Sequence, residues 1–156
     1  MSRGKTLLCL VGLALLAGFI GSIIGAVLLY LYGLMALYWE LYQETGKHIF
    51  DLGASSSEFK DSVAFGVKAS IILTTMAALM TGAPLAYGLK NRILAYPKTS
   101  VLTLTVLGGI LAVVLMKLIF RHALGAGFAP HSVFFGAATA FAYSLLIVGF
   151  GRRLAA

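Results

Sequence analysis

Apolar residues fill four long runs of the chain, at about 7–30, 63–89, 100–120 and 132–150. Each run has the roughly 20 residues a helix needs to cross hydrocarbon. Short polar or basic stretches separate them, apart from one longer segment of about 38–62 between the first and second runs. In lipid a spanning segment must satisfy its own backbone hydrogen bonds, and runs of this length do so as helices. The pattern predicts an all-α integral membrane protein, one domain of four transmembrane helices in a compact bundle.

Within the first run the small residues keep helical spacing. Ala14, Gly18, Ser22 and Ala26 recur every fourth residue, and Ala17, Gly21 and Gly25 form a second row beside them. Without side-chain bulk, a neighbouring helix can approach to backbone contact. The spacing predicts one flat groove, with Ala14, Gly18, Gly21, Ser22 and Gly25 as its helix-packing residues.

The first helix does not end with its apolar run. Helix formers continue to Glu44, and Gly46 is the first good C-terminal cap. A helix over residues 6–45 would be about 60 Å long, twice the hydrocarbon thickness. Tyr30, Tyr32, Tyr38, Trp39 and Tyr42 mark an aromatic belt at the outer interface, so the extension lies in or above the headgroups. Ser55 and Glu58 have capping-box spacing, which starts the second helix near Ser56. Specific recognition of a partner falls on this outer segment, with Trp39, Glu40, Glu44 and Asp51 as the candidate residues.

The later spans repeat the small-residue theme. Ser70, Thr74, Ala77 and Thr81 share a face of the second, and Gly82 with Pro84 predicts a kink. Thr105, Gly108, Gly109 and Ala112 share a face of the third, and Gly136, Ala140 and Ser144 one of the fourth. Lys68, Lys117 and Arg121 lie off these faces near the outer boundary, where long cationic side chains snorkel to the headgroups. The sharper reading makes them a basic rim that pairs with Glu58 or Asp61 or binds an anionic ligand.

Composition agrees with the pattern: 60% of residues are hydrophobic and 11% charged. The charge is divided between two sides. Arg3, Lys5, Lys90, Arg92, Lys98, Arg152 and Arg153 flank the spans on one side with no acid among them, while all five acids fall on the other. Positive loops mark the cytoplasm. Both termini are therefore expected inside, in the cell inner (cytoplasmic) membrane, with Met1 to Lys5 and the following apolar run acting as a retained signal anchor. The net charge of +7 then needs only anionic membrane lipid as its partner and no nucleic acid.

Candidate chemistry is sparse. Cys9 is the single cysteine, which rules out an internal disulfide and paired-thiol sites. His48, His122 and His131 match no compact metal motif, so no metal or cofactor is expected. The spans carry no acid beyond Asp61 at the mouth of the second, and neither an HExxH run nor a phosphate-binding loop is present. His122, His131, Glu58 and Asp61 are the only groups that could perform acid-base work at the outer interface. The expectation is a non-enzymatic inner-membrane protein acting through another membrane or extracytoplasmic protein. It would be an accessory subunit of a larger complex, or an immunity-type protein that neutralises a membrane-active toxin. The alternative is a small homo-oligomeric channel or transporter, with Ser70, Thr74 and Thr81 along its path and Lys68 or Arg121 selecting anions.

Overall fold

The computed structural model describes residues 3–46, 56–119 and 128–155. Helix α1 runs Arg3–Thr45 and α2 runs Ser56–Ala77, followed by a π-helical turn, Ala78–Gly82. Helix α3 spans Ala83–Ala95, α4 Pro97–Ile119 and α5 Phe128–Ala155. Four helical stretches are long and apolar enough to cross a membrane, at Gly4–Thr45, Phe59–Ala95, Pro97–Leu118 and His131–Phe150. The protein is a multi-pass, all-α four-helix membrane bundle.

Local chemistry sets the ends. Gly46 adopts φ of 64°, and its N–H donates to the Tyr42 carbonyl oxygen at 2.9 Å. Glycine enters this left-handed conformation without a Cβ penalty, so α1 stops there. Pro97 and Pro130 both fall in first turns, where the missing N–H has no intrahelical partner to lose. Helix α3 carries Lys90 and Arg92 through a stretch that reads in sequence as a loop, leaving Tyr96 alone to join α3 to α4.

The helices pack in the order α2, α1, α5, α4, and α3 lies against α1 and α5. Gly18 meets Thr75 and Ala26 meets Gly66, so α1 and α2 are antiparallel. Gly21 meets Thr139 and Gly25 meets Phe135, so α1 and α5 are antiparallel too. The two small-residue rows of α1 therefore do not merge into one groove. One row receives α2 and the other receives α5, which puts α1 between them.

Helix α4 is joined to α5 by glycine on both sides. A Cβ on Gly108 would stand 2.8 Å from the Gly136 carbonyl oxygen, and one on Gly136 would stand 2.5 Å from that of Gly108. Only two bare backbones fit at that separation.

The apolar core lies at the N-terminal half of α1, where Leu10, Leu13 and Ala17 pack with Ala83, Ala86 and Ile93 of α3 and Ala142, Tyr143 and Ile147 of α5. The π-helical turn sets how α3 reaches it. Along α2 the buried positions are Ser70, Thr74 and Ala78, but the next are Ala83 and Ala86. Ala83 N–H bonds back five residues to the Ala78 carbonyl oxygen. The wide turn thus shifts the buried face by one residue, and Thr81 leaves the face that a continuous α-helix would give it. Pro84 follows at once, because it cannot donate and its ring would crowd the carbonyl four residues back.

Candidate functional site

Hydroxyls of Ser70, Thr74, Thr81, Thr139 and Tyr143 bond to backbone carbonyls. Thr74 Oγ1 lies 3.0 Å from the Ser70 carbonyl oxygen and 3.1 Å from that of Gly18. Ser70 donates to Gly66 at 2.7 Å, Thr81 to Ala77 at 2.6 Å and Thr139 to Phe135 at 2.7 Å. Tyr143 Oη donates across to the Leu10 carbonyl oxygen at 3.1 Å, with its ring against Gly82. Among the described residues, no buried side-chain nitrogen or oxygen lacks a partner. Ser70 and Thr74 are buried, and neither hydroxyl is offered to a path along α2.

Ala14, Gly18, Gly21, Ser22 and Gly25 are all buried, Gly18 against α2 and Gly21 and Gly25 against α5. Their surface is consumed by this chain's own helices and is closed to another protein. Two shallow depressions on the flanks are lined by Ile71, Ile72, Thr75 and Met76, and by Ile20, Ile24, Phe141, Ala142, Leu145 and Leu146. Neither carries a charged side chain.

Of the candidate cations, Lys68 and Lys117 lie among the described residues and do not converge. Lys68 on α2 and Lys117 on α4 are both exposed, on the two helices at opposite ends of the packing order. Separate exposed positions suit snorkelling side chains. Arg121 lies outside the described residues, as do Asp51, His48 and His122. Among the described residues, no group of three histidine, cysteine or acidic side chains could hold a metal ion.

Exposed apolar side chains occur on every helix, and towards the C-terminal end of α1 they stand beside carboxylates. Tyr30 meets Phe59 of α2 edge to face at 5.0 Å between ring centroids, and Tyr32 meets Phe134 of α5 at 5.5 Å. Beyond these rings the helix continues for another thirteen residues to Thr45. Met35, Leu37 and Trp39 are exposed there, together with Glu40 and Glu44. Trp39 rests against Tyr42, with ring centroids 6.1 Å apart.

Beside the candidate recognition residues Trp39, Glu40 and Glu44 stand Tyr32, which belongs to the aromatic belt, and Met35, which residue type alone does not single out. Their spacing relative to Leu28 and Trp39 was the available signal, since all four fall on one helical face. Comparison with known families, curated proteins and solved structures finds no match to this chain.

Proposed function

We propose that this is a non-enzymatic protein of the cell inner membrane that works by binding another protein at the outer end of α1. Its termini lie in the cytoplasm, and the bundle serves as a rigid mount. The observation that carries this reading is the stretch of α1 past Tyr32, where Met35, Leu37 and Trp39 are exposed together with Glu40 and Glu44. Protein interfaces favour such exposed aromatic and methionine side chains. The interior supports the same reading, because its hydroxyls are spent on backbone and its glycines on helix packing. Two roles fit: an accessory subunit of a membrane complex, and an immunity-type protein that neutralises a membrane-active toxin.

The test is co-purification from the native membrane in mild detergent, using the full chain tagged at its C-terminus. The expected result is a stoichiometric partner that is retained by the unaltered chain and lost from a Met35→Ala, Trp39→Ala variant. The partner's identity then separates the two roles. A partner retained equally by the variant would place the interface elsewhere. A homo-oligomer with nothing else bound would favour the channel reading.

A further inference from the structure

The exposed face of the α1 extension has a chemistry that specifies what it takes. At 3.6 residues per turn, Leu28, Tyr32, Met35 and Trp39 align in one stripe, and Glu40 and Glu44 align in a second. Ala36 and Gln43 fill the strip between them, Tyr42 borders the apolar stripe beside Met35, the exposed Leu37 borders Glu44, and the half-buried Leu34, Tyr38 and Leu41 take the far side. Exposure within the apolar stripe reaches 73% at Met35 and 58% at Trp39. The face is therefore an apolar ridge with a carboxylate edge.

Two features point to a cationic occupant. First, helices that rest on a membrane surface carry Lys and Arg on their polar face, which anionic headgroups attract. This extension carries only glutamates, and the chain has no basic residue from Thr6 through Gly46. Second, the glutamates are placed against the helix's own interest. They repel one another at four-residue spacing, and they lie near a C-terminus whose dipole favours cations. The last turn of α1 holds no basic residue to offset them. An opposing positive charge would relieve both penalties.

We infer that the outer end of α1 docks a cationic amphipathic helix, whose apolar face covers Leu28, Tyr32, Met35 and Trp39 and whose lysines or arginines meet Glu40 and Glu44. This rests on the proposed binding role of the same segment and adds the chemical class of the partner. Recognition is of the helix-on-helix kind, with apolar anchors at helical spacing and charges at the rim choosing the partner.

Trp39 is the only tryptophan of the chain, so its fluorescence reports on the ridge directly. The full protein in phosphatidylcholine nanodiscs is titrated with two synthetic tryptophan-free peptides. They share a leucine face, and their polar faces carry lysine in one and glutamate in the other. The lysine peptide is expected to shift the Trp39 emission to the blue saturably, while the glutamate peptide does not. Glu40→Gln with Glu44→Gln should weaken the lysine peptide about fivefold, the effect of losing two exposed ion pairs. Glu40→Lys with Glu44→Lys should reverse the preference between the peptides. Equal binding of both peptides, or no reversal, overturns the cationic assignment and leaves the binding role of α1 standing. No shift with either peptide overturns both for this surface. A blue shift that needs only anionic lipid and no peptide would make the ridge a membrane contact and overturn the inference.

Discussion

Thr74 on α2 and Gly18 on α1 meet across the helix interface, with the threonine hydroxyl 3.1 Å from the glycine carbonyl oxygen. The approach depends on the hydrogen that stands in place of a side chain at Gly18, where a Cβ would come within 2.7 Å of the Thr75 backbone. Close packing, and not the hydrogen bond, is what this contact supplies. The hydroxyl has a second acceptor on its own helix, the Ser70 carbonyl oxygen at 3.0 Å.

That difference gives the first prediction. Thr74→Val should cost about 0.6 kcal/mol, the average for hydrogen bonds between membrane helices. Gly18→Leu should abolish the folded bundle or force α2 away from α1. Equilibrium unfolding in mixed micelles checks the pair, and similar losses from both would show that the hydrogen bond dominates.

Glycines in this chain divide by what surrounds them. A Cβ on Gly136 would reach the Gly108 carbonyl oxygen at 2.5 Å, whereas one on Gly12 would find nothing within 4 Å. Gly136→Ala should therefore destabilise the α4–α5 pair, since backbone lies on the other side and has no rotamer to yield. Gly12→Ala should stabilise α1 by about 0.5–1 kcal/mol, because glycine within a helix costs that much relative to alanine. Thermal unfolding of the two variants should move in opposite directions.

The division of the glycines also marks what was legible in the sequence. Four spans, the C-cap at Gly46 and the start of α2 at Ser56 follow from local rules of hydropathy and capping, which act within a few residues. That Gly18, Gly21 and Gly25 belong to packing surfaces followed from their spacing. Which helix covers each of them did not, because two neighbouring rows on one helix look alike whether they meet one partner or two. Gly12 shows the complementary failure: its residue type matches Gly18, and only the arrangement of the other helices leaves it open. Towards the C-terminal end of α1, the residue types drew attention to Trp39, Glu40 and Glu44, while the stripe through Tyr32 and Met35 depends on the placement of α5, whose Phe134 meets Tyr32 and leaves Met35 and Trp39 exposed beyond it.

The channel reading has its own outcome. Ser70 and Thr74 are buried with their hydroxyls on backbone oxygens, Thr74 reaching the Gly18 carbonyl of α1, so neither hydroxyl is offered to a path along α2. Liposomes containing only this protein should show no ion flux above protein-free vesicles under either chloride or potassium gradients. Flux that is lost in a Ser70→Leu variant that still folds would require an oligomer in which α2 turns this face to a lumen.

The π-helical turn yields the last prediction, since it amounts to one residue more than a continuous α-helix needs between two buried faces. Ser70, Thr74 and Ala78 repeat every four residues, and the step to Ala83 takes five. Removing one residue inside the turn should let the helix close with ordinary bonds while Ala78 and Ala83 keep facing α1 and α5. Met80 is the residue to delete, because its side chain is 71% exposed and contributes little to the core. Deleting Leu73, inside the regular helix, would instead rotate all that follows by about 100°, one residue's turn in a helix of 3.6. It would swing Thr74 off the Gly18 carbonyl. The Met80 deletion should therefore retain most of the thermal stability and the Leu73 deletion should lose it. Pro84 adds a limit, because its ring would crowd the carbonyl four residues before it in a continuous helix. The Met80 deletion combined with Pro84→Ala should be more stable than the deletion alone. If Pro84→Ala gives no gain in that background, the proline does not oppose closure of the turn, and the shift in buried face alone accounts for the π-helix.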